Sequence, residues 1–209
     1  MILGLVLAGG AGRRLGGVDK PLLALGAGTL LDAVLARLAG EPLAGLALSA
    51  NGDAARFARF GLPVLDDGAF LGRGPLAGVL AGLEWAEGRG ASALLTVPGD
   101  TPFLPPGLVA ALDPAPSHAW AEGRAHPLVA LWPVAARAAL RAWLERGEPA
   151  RVGAFAAALG ARAVAFPDAS AGAFANVNTP EELAAARGRG HSVLSGRTAL
   201  IALCGYAEK

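Results

Sequence analysis

Between Leu7 and Leu22 the chain reads LAGGAGRRLGGVDKPL. Five glycines, two adjacent arginines and a lysine followed by proline share these sixteen residues. Glycines let successive backbone N–H groups converge on a phosphate. Arg13, Arg14 and Lys20 supply the charge that offsets a triphosphate. The plain alternative is a flexible turn with solvated arginines. Two familiar glycine loops do not fit. A P-loop needs G-x-x-x-x-G-K-[ST], but Lys20 sits between Asp19 and Pro21. The dinucleotide fingerprint needs G-x-G-x-x-G, but Leu15 occupies its last glycine.

Composition adds weight to Lys20. The chain has sixteen arginines and two lysines, Lys20 and the C-terminal Lys209. A lone internal lysine suggests a site that wants a compact ammonium rather than a planar fork. Further along, VPGDTPFLPP (Val97–Pro106) fixes Asp100 in a proline-rigid loop. A carboxylate there is a natural Mg²⁺ ligand, since Mg²⁺ takes one or two carboxylates plus substrate phosphates. Asp100 capping its own turn is the alternative. Asp66 and Asp67 end another apolar run, and their types do not say which one faces a ligand. Two of the three asparagines, Asn176 and Asn178, cluster in NVNTP. Such clustering points to specific hydrogen bonding or to turn chemistry before Thr179. GRGPLAG (Gly72–Gly78) reads as a close backbone approach at a helix start or as a lid. His126, with no second histidine at ligand spacing, reads as a core or positioning residue rather than a transition-metal ligand.

The elements that must position these residues follow from periodicity. ILGLVLA (Ile2–Ala8) reads as a strand buried on both faces. Leu30–Ala39 reads as a helix opened by a Thr29/Asp32 capping box. Gly45–Ala50, Pro63–Asp67 and Ser92–Asp100 read as strands. Ala55–Phe60 reads as a short helix. Pro75–Glu87 reads as a helix with proline in its first turn. The alternation gives an α/β fold with a mostly parallel sheet and helices on both faces. Right-handed crossovers put all parallel strand ends on one edge, where ligands bind. The glycine loop, Ser49–Asn51, Asp66–Asp67 and Asp100 are therefore expected along one crevice. In the second half, His118–Pro133 reads as two strands around Gly123. Val134–Gly147 and Arg151–Gly160 read as helices and Ala161–Phe166 as a strand. A last helix is capped by Thr179, with Pro180 at N1 and Glu182 at N3. One domain over residues 1–189 is expected, nucleotide-binding in its first half and acceptor-binding in its second, with a tail over 190–209.

Bulk properties bound the function. The 209 residues are 54% hydrophobic and 17% charged, a globular composition rather than a disordered one. A net charge of +1 gives no broad basic face for nucleic acid. The single Cys204 excludes an internal disulfide and a multi-cysteine metal site, and suits a cytoplasmic protein. The N-terminus does not read as a signal peptide. No apolar run reaches the roughly 18 residues of a membrane helix, so no membrane association is expected. Glutamine is absent, which suits either a thermophile or a GC-rich genome.

Together, LAGG-x-x-R-R-x-GG-x-DKPL, GPLAG, PGDTPFLPP, HPLVAL and NVNTPEEL resemble the signature of nucleotidyltransferases of the molybdenum cofactor guanylyltransferase type. The matches run from Leu7 to about Leu183. The resemblance implies a Rossmann-like fold of the nucleotide-diphospho-sugar transferase type, using Mg²⁺ and GTP. It implies transfer of GMP to the terminal phosphate of molybdenum-bearing molybdopterin, with release of pyrophosphate. Leu7, Ala8, Gly9 and Gly10 match its nucleotide-binding loop. Lys20 matches a GTP-contacting lysine and Asp67 an aspartate on the nucleotide. Asp100 matches the aspartate that holds Mg²⁺ and contacts GTP. Arg14, Gly17 and Asn178 match positions serving catalysis or the pterin. One departure is Ser49-Ala50-Asn51 where relatives have NAN. Ser49 offers a hydroxyl in place of an amide, and Asn51 is the candidate to compensate. Molybdenum-cofactor biosynthesis proteins and apo-molybdoenzymes are the implied protein partners. Competing readings are a molybdopterin cytidylyltransferase, a sugar-phosphate nucleotidyltransferase and a non-catalytic escort for the pterin cofactor. A Rossmann dehydrogenase is disfavoured by Leu15.

Overall fold

The computed structural model describes residues 1–9, 11–12 and 18–190. Gly10, Arg13, Arg14 and Gly17 lie outside the described residues, as does the expected tail from residue 191 onward. Seven strands form one sheet: β1 (Ile2–Leu7), β2 (Leu46–Ser49), β3 (Val64–Leu65), β4 (Ala93–Pro98), β5 (Ser117–Ala121), β6 (Arg124–Pro133) and β7 (Arg162–Ala165). Their order across the sheet is β7-β5-β6-β4-β1-β2-β3. All neighbours pair in parallel except β6, which runs antiparallel to both β4 and β5. The α/β, mostly parallel architecture is the expected one.

Helices cover both faces. α1 (Leu30–Leu38) and α3 (Leu108–Leu112) pack on one face with Val6, Leu48, Val97 and Leu131. α2 (Pro75–Glu87), α4 (Arg137–Glu145) and α5 (Val152–Ala158) pack on the other with Leu5, Ala47, Leu94 and Trp132. Successive strand residues thus alternate between two apolar cores, which is why the parallel strands read as continuous hydrophobic runs. Burying each leucine fully stabilises by about 1.5–3 kcal/mol before ordering costs. α2 lies close on the sheet because it carries glycine. A Cβ on Gly82 would sit 2.5 Å from Leu5 Cδ2.

Most elements fall where periodicity places them. α2 has the expected bounds, and Thr29 and Asp32 form both halves of the capping box. The short helix after β2 is a 3-10 segment, Ala54–Phe60, capped by Asp53. Val134–Gly147 divides into a 3-10 turn and α4. α3 has no sequence-level counterpart, because its apolar residues follow prolines and span barely one turn. Its first two free N–H groups, on Leu108 and Val109, each donate to the buried Glu41 carboxylate at 2.9 Å. No helix among the described residues is long and apolar enough to cross a membrane.

Register decides where the loops emerge. Leu7 pairs with both Ser49 and Pro98, and Ser49 pairs with Leu65. Four strands therefore end level with one another. The next residues of each, Ala8–Gly9, Ala50–Asn51, Asp66–Asp67 and Gly99–Asp100, leave the sheet side by side. The final helix, α6 (Pro180–Gly190), returns to this edge. Val177, Leu183 and Ala186 seat it and its preceding loop against Leu25, Leu30 and Phe103.

Candidate active site

The level strand ends form the floor of a cleft of about 850 Å³. Leu7, Gly9, Lys20, Ser49, Asn51, Asp67, Asp100 and Asn176 all line it. The crevice expected from topology thus exists and gathers residues that the sequence scatters. Ala8 lies beneath the cleft: its side chain is buried in the core and its N–H donates to Ser49 O at 2.9 Å.

At the centre, Lys20 Nζ donates to Asp100 Oδ2 at 2.5 Å and to Asn178 Oδ1 at 2.7 Å. Lys20 and Asp100 are 18% and 14% exposed, enough to meet a ligand while little screened by water. Three local devices hold this triad. Pro21 is buried in the 3-10 turn Lys20–Leu22 and packs against Gly99. A Cβ on Gly99 would lie 3.2 Å from Pro21 Cγ and 3.3 Å from Leu7 O, so glycine permits the approach. Val177 N donates to Asp100 O at 2.9 Å, which ties the NVNTP loop to the end of β4. Glu182 accepts from Asn178 N and Thr179 N while its own N–H donates to Thr179 Oγ1, completing the cap of α6. Asn176, by contrast, spends its side-chain oxygen on Thr101 Oγ1 at 3.1 Å. It fastens the loop as well as lining the cleft.

The β2–β3 side of the cleft carries a second cluster. Asn51 Nδ2 donates to Asp67 Oδ2 at 2.7 Å, and Asp67 N donates to Asn51 Oδ1 at 2.9 Å. This two-way clamp distinguishes the adjacent aspartates. Asp67 faces the cleft, whereas Asp66 caps Gly68 N at 2.7 Å. Burial raises the Asp67 carboxyl above its ordinary pKa, the Asn51 bond works against that rise, and the Asp66 charge adds to it. Ser49 is buried beneath, 4% exposed, opposite Gly78 of α2.

Sequence reasoning missed Arg56. Its Nη2 donates to Asn51 O at 2.6 Å, and its Nη1 donates to Asp53 O. Its Nε lies 2.8 Å from Asp19 Oδ2, and its guanidinium sits 4.7 Å over the Phe57 ring. One arginine among sixteen, on a short helix, carries no signal in the sequence. The rim formed by Leu71, Gly72 and Gly74 is tied down rather than free, because Arg73 Nη2 donates to Leu144 O at 3.2 Å. His126 belongs to the core reading. Its ring lies 5.0 Å from that of Phe174, and burial holds its pKa below the ordinary value. Among the described residues no three of His, Cys, Asp and Glu gather to hold a metal.

A cation, a carboxylate and an amide at the carboxyl edge of a parallel sheet, opposite a glycine-flanked helix start, define a nucleotidyltransferase of the α/β type. The solved structures agree on the fold. Molybdopterin-guanine dinucleotide biosynthesis protein A from Archaeoglobus fulgidus superposes with a TM-score of 0.70 at 20% identity, covering 90% of this chain and 98% of that one. The 2-C-methyl-D-erythritol 4-phosphate cytidylyltransferase from Thermus thermophilus gives 0.64 at 22%, covering 91% and 100%. Residues 4–160 match the MobA-like NTP transferase domain, and the chain belongs to that family. It is 56% identical over 181 residues to a molybdenum cofactor guanylyltransferase of Acidiphilium cryptum, covering 87% of this chain and 91% of the relative. It is 53% identical over 189 residues to the one of Cereibacter sphaeroides, covering 88% and 95%.

Proposed function

We propose that this chain transfers GMP from GTP to the phosphate of molybdenum-molybdopterin, forming molybdopterin guanine dinucleotide and pyrophosphate. The observation that carries the reading is that Lys20, which lines the cleft beside Asp100, is held by both Asp100 Oδ2 and Asn178 Oδ1. The similarity to guanylyltransferases over nearly nine-tenths of the chain supports the choice of nucleotide and acceptor.

The reaction is an in-line displacement at the α-phosphorus of GTP. A phosphate oxygen of the acceptor forms the new P–O bond, and the bond to the β-phosphate oxygen breaks. The attacking oxygen is already ionised at neutral pH, so no general base is needed. The protein's work is positioning and charge compensation. Lys20 offsets charge on the triphosphate as it moves toward the leaving group. Asn178, whose carboxamide is held against Lys20, orients the acceptor phosphate. Asp67 and Asn51 offer an acceptor and an amide to the base, and Leu7 and Gly9 offer backbone and apolar surface.

Mg²⁺ fits the donor set. Asp100 is a hard oxygen ligand at the cleft floor, and one carboxylate suffices where substrate phosphates complete the shell. When bound there, Mg²⁺ supplies positive charge to the phosphates and the departing pyrophosphate. Arg14 and Gly10, outside the described residues, complete the proposed phosphate loop. A single cysteine fits a cytoplasmic enzyme.

The test is transfer of label from α-labelled GTP or CTP to molybdenum-molybdopterin by the purified chain. GMP transfer is expected to exceed CMP transfer by at least tenfold. Equal or greater transfer from CTP overturns the nucleotide assignment, and no transfer from either overturns the enzyme.

A further inference from the structure

Thr96 is the one polar side chain in β4 (ALLTVP), and it is fully buried. A hydroxyl in such a place costs stability unless it is bonded. Its bonds lead toward the cleft. Resting on the transferase reading above, we propose that Thr96 is a positioning residue. It holds Leu128 in an apolar floor that keeps water from attacking the bound GTP.

The local chain explains the arrangement. β6 reads HPLVALW from His126 to Trp132. Pro127 has no N–H to give a ladder, and the pairing with β5 shifts register between His126 and Ala130. The pairing with β4 reaches only to Ala130, opposite Thr96. Leu128 therefore falls in a bulge. Thr96 Oγ1 donates to Leu128 O at 2.9 Å, and Trp132 Nε1 donates to Thr96 Oγ1 at 2.9 Å. A hydroxyl has a single proton to give. Leu128 O is the nearer carbonyl for it, since Ala130 O lies at 3.4 Å. Bulges beside active sites re-aim side chains. Here the side chain is Leu128, which lines the cleft.

Strand order sets what Leu128 completes. β1, β4 and β6 include two pairs of neighbours, β6 with β4 and β4 with β1. Leu7 and Pro98 end β1 and β4 and pair with each other. Leu7, Pro98 and Leu128 all line the cleft, as do Lys20 and Asp100. Leu7 and Leu128 both pack on the α2 side of the sheet. Three apolar side chains on adjacent strands thus lie beside the strand end from which Asp100 emerges. Excluding water there strengthens the charge contacts of Lys20 and Asp100. It also suppresses hydrolysis. In hydrolysis a water oxygen bonds the α-phosphorus, the bond to the β-phosphate oxygen breaks, and a water proton passes to solvent. The products are GMP and pyrophosphate, with no dinucleotide formed.

The test uses Leu128→Ala, Thr96→Val and Thr96→Ser in the full chain, with α-labelled GTP, Mg²⁺ and molybdenum-molybdopterin. Label is read in free GMP and in the dinucleotide. Leu128→Ala opens the floor. Thr96→Val keeps the shape but removes the proton that holds it. Each should raise the ratio of free GMP to dinucleotide by about tenfold. Thr96→Ser keeps the hydroxyl and should stay near the parental ratio. A merely structural role lowers the Tm and both products together and leaves the ratio unmoved. Thr96→Val should lower the Tm as well, because Trp132 Nε1 and Leu128 O lose their partner. Leu128→Ala tests the floor without that loss. An unchanged ratio in Leu128→Ala overturns the floor. An unchanged ratio in Thr96→Val, or a Thr96→Ser ratio as high as that of Thr96→Val, overturns Thr96 as its holder. All of these outcomes leave the transferase reading standing. A parent chain that transfers no GMP overturns the transferase reading. GMP release from GTP without acceptor then decides the floor, which stands if Leu128→Ala speeds that release and falls if it does not.

Discussion

Lys20 and Asp100 stand 80 positions apart in the chain, yet Lys20 Nζ lies 2.5 Å from Asp100 Oδ2. Opposite charges in contact at the floor of the cleft can exchange partners with an incoming ligand. On the proposed function, the lysine would turn to phosphate oxygen and the carboxylate to a cation. Each half of the pair has a distinct role in that exchange, which mutation separates.

Asp100→Asn keeps the shape and an oxygen but removes the charge that attracts a divalent cation. Lys20→Ala removes the ammonium proposed to meet the triphosphate. Removing one such preorganised electrostatic contact typically costs about 10²–10³ in rate. Both variants are expected to lose GMP transfer on that scale in a labelled-nucleotide assay. In the parent chain, chelation by EDTA should abolish transfer and added Mg²⁺ should restore it. Transfer that survives chelation, or near-parental rates in either variant, would sink these assignments.

The architecture was readable because parallel strands advertise themselves as apolar runs and helices by caps and period. Thr29 with Asp32, Pro75 at a helix start and Thr179 with Glu182 all marked true helix beginnings. The cleft was readable by the rule that parallel strand ends share an edge. What the rule cannot supply is lateral order. That β6 runs antiparallel beside β4, and so brings Leu128 to the cleft, depends on sheet pairing and not on local pattern. Likewise, nothing in the pair Asp66-Asp67 told which side chain faces the ligand, because side-chain direction in a two-residue strand end is set by tertiary contacts. Arg56 stayed hidden for the same reason: its partners Asp19 and Asn51 O come from other segments.

Arg56 ties Asp19 to the Asn51–Asp67 side of the cleft. Its ion pair with Asp19 is partly exposed and contributes about 0.2–1 kcal/mol. Its bonds to backbone carbonyls contribute about 1 kcal/mol each. Arg56→Ala should therefore raise the GTP KM by roughly tenfold, since 1.4 kcal/mol is one decade. Lysine at this position reaches Asp19 or the carbonyls but not both, so Arg56→Lys should recover only part of the loss. A double-mutant cycle with Asp19→Ala should show less than additive losses in GTP binding. Strict additivity would mean that Arg56 and Asp19 do not act together.

Gly78 lets α2 approach the strand ends beneath the cleft. A Cβ there would lie 2.3 Å from Ser49 Oγ and 3.1 Å from Leu7 Cδ2. Gly78→Ala should destabilise by about 1–3 kcal/mol, the usual cost of overpacking, seen as a lowered midpoint in urea. Ser49→Ala in the same chain removes the nearest atom and should restore part of the loss, though Ser49 Cβ remains 3.3 Å away. Gly88→Ala is the control. That helix end has φ −60 and no contact under 3.6 Å, so alanine there should be neutral or stabilising. Equal effects at Gly78 and Gly88 would refute the packing account.

Burial raises the Asp67 carboxyl above its ordinary pKa, and this has opposite consequences for stability and for binding. The folded protein takes up this proton at a higher pH than the unfolded chain does. Above the folded pKa, the buried charge therefore costs stability, and the cost disappears as pH falls through that value. Asp67→Asn should raise the Tm at neutral pH, with the advantage narrowing on acidification. For GTP the sign reverses. On the proposed function, guanine N–H donors would be matched by an ionised Asp67 carboxylate, and a hydrogen bond to a charged group contributes about 1.5–3 kcal/mol. Asp67→Asn should weaken GTP binding by roughly ten- to a hundredfold at neutral pH. In the parent chain, GTP affinity measured by calorimetry should fall on acidification, starting at a higher pH than an ordinary aspartate would set. The same titration on Asp67→Asn should lack that step. If the two pH profiles run parallel, Asp67 is not the group that meets the base.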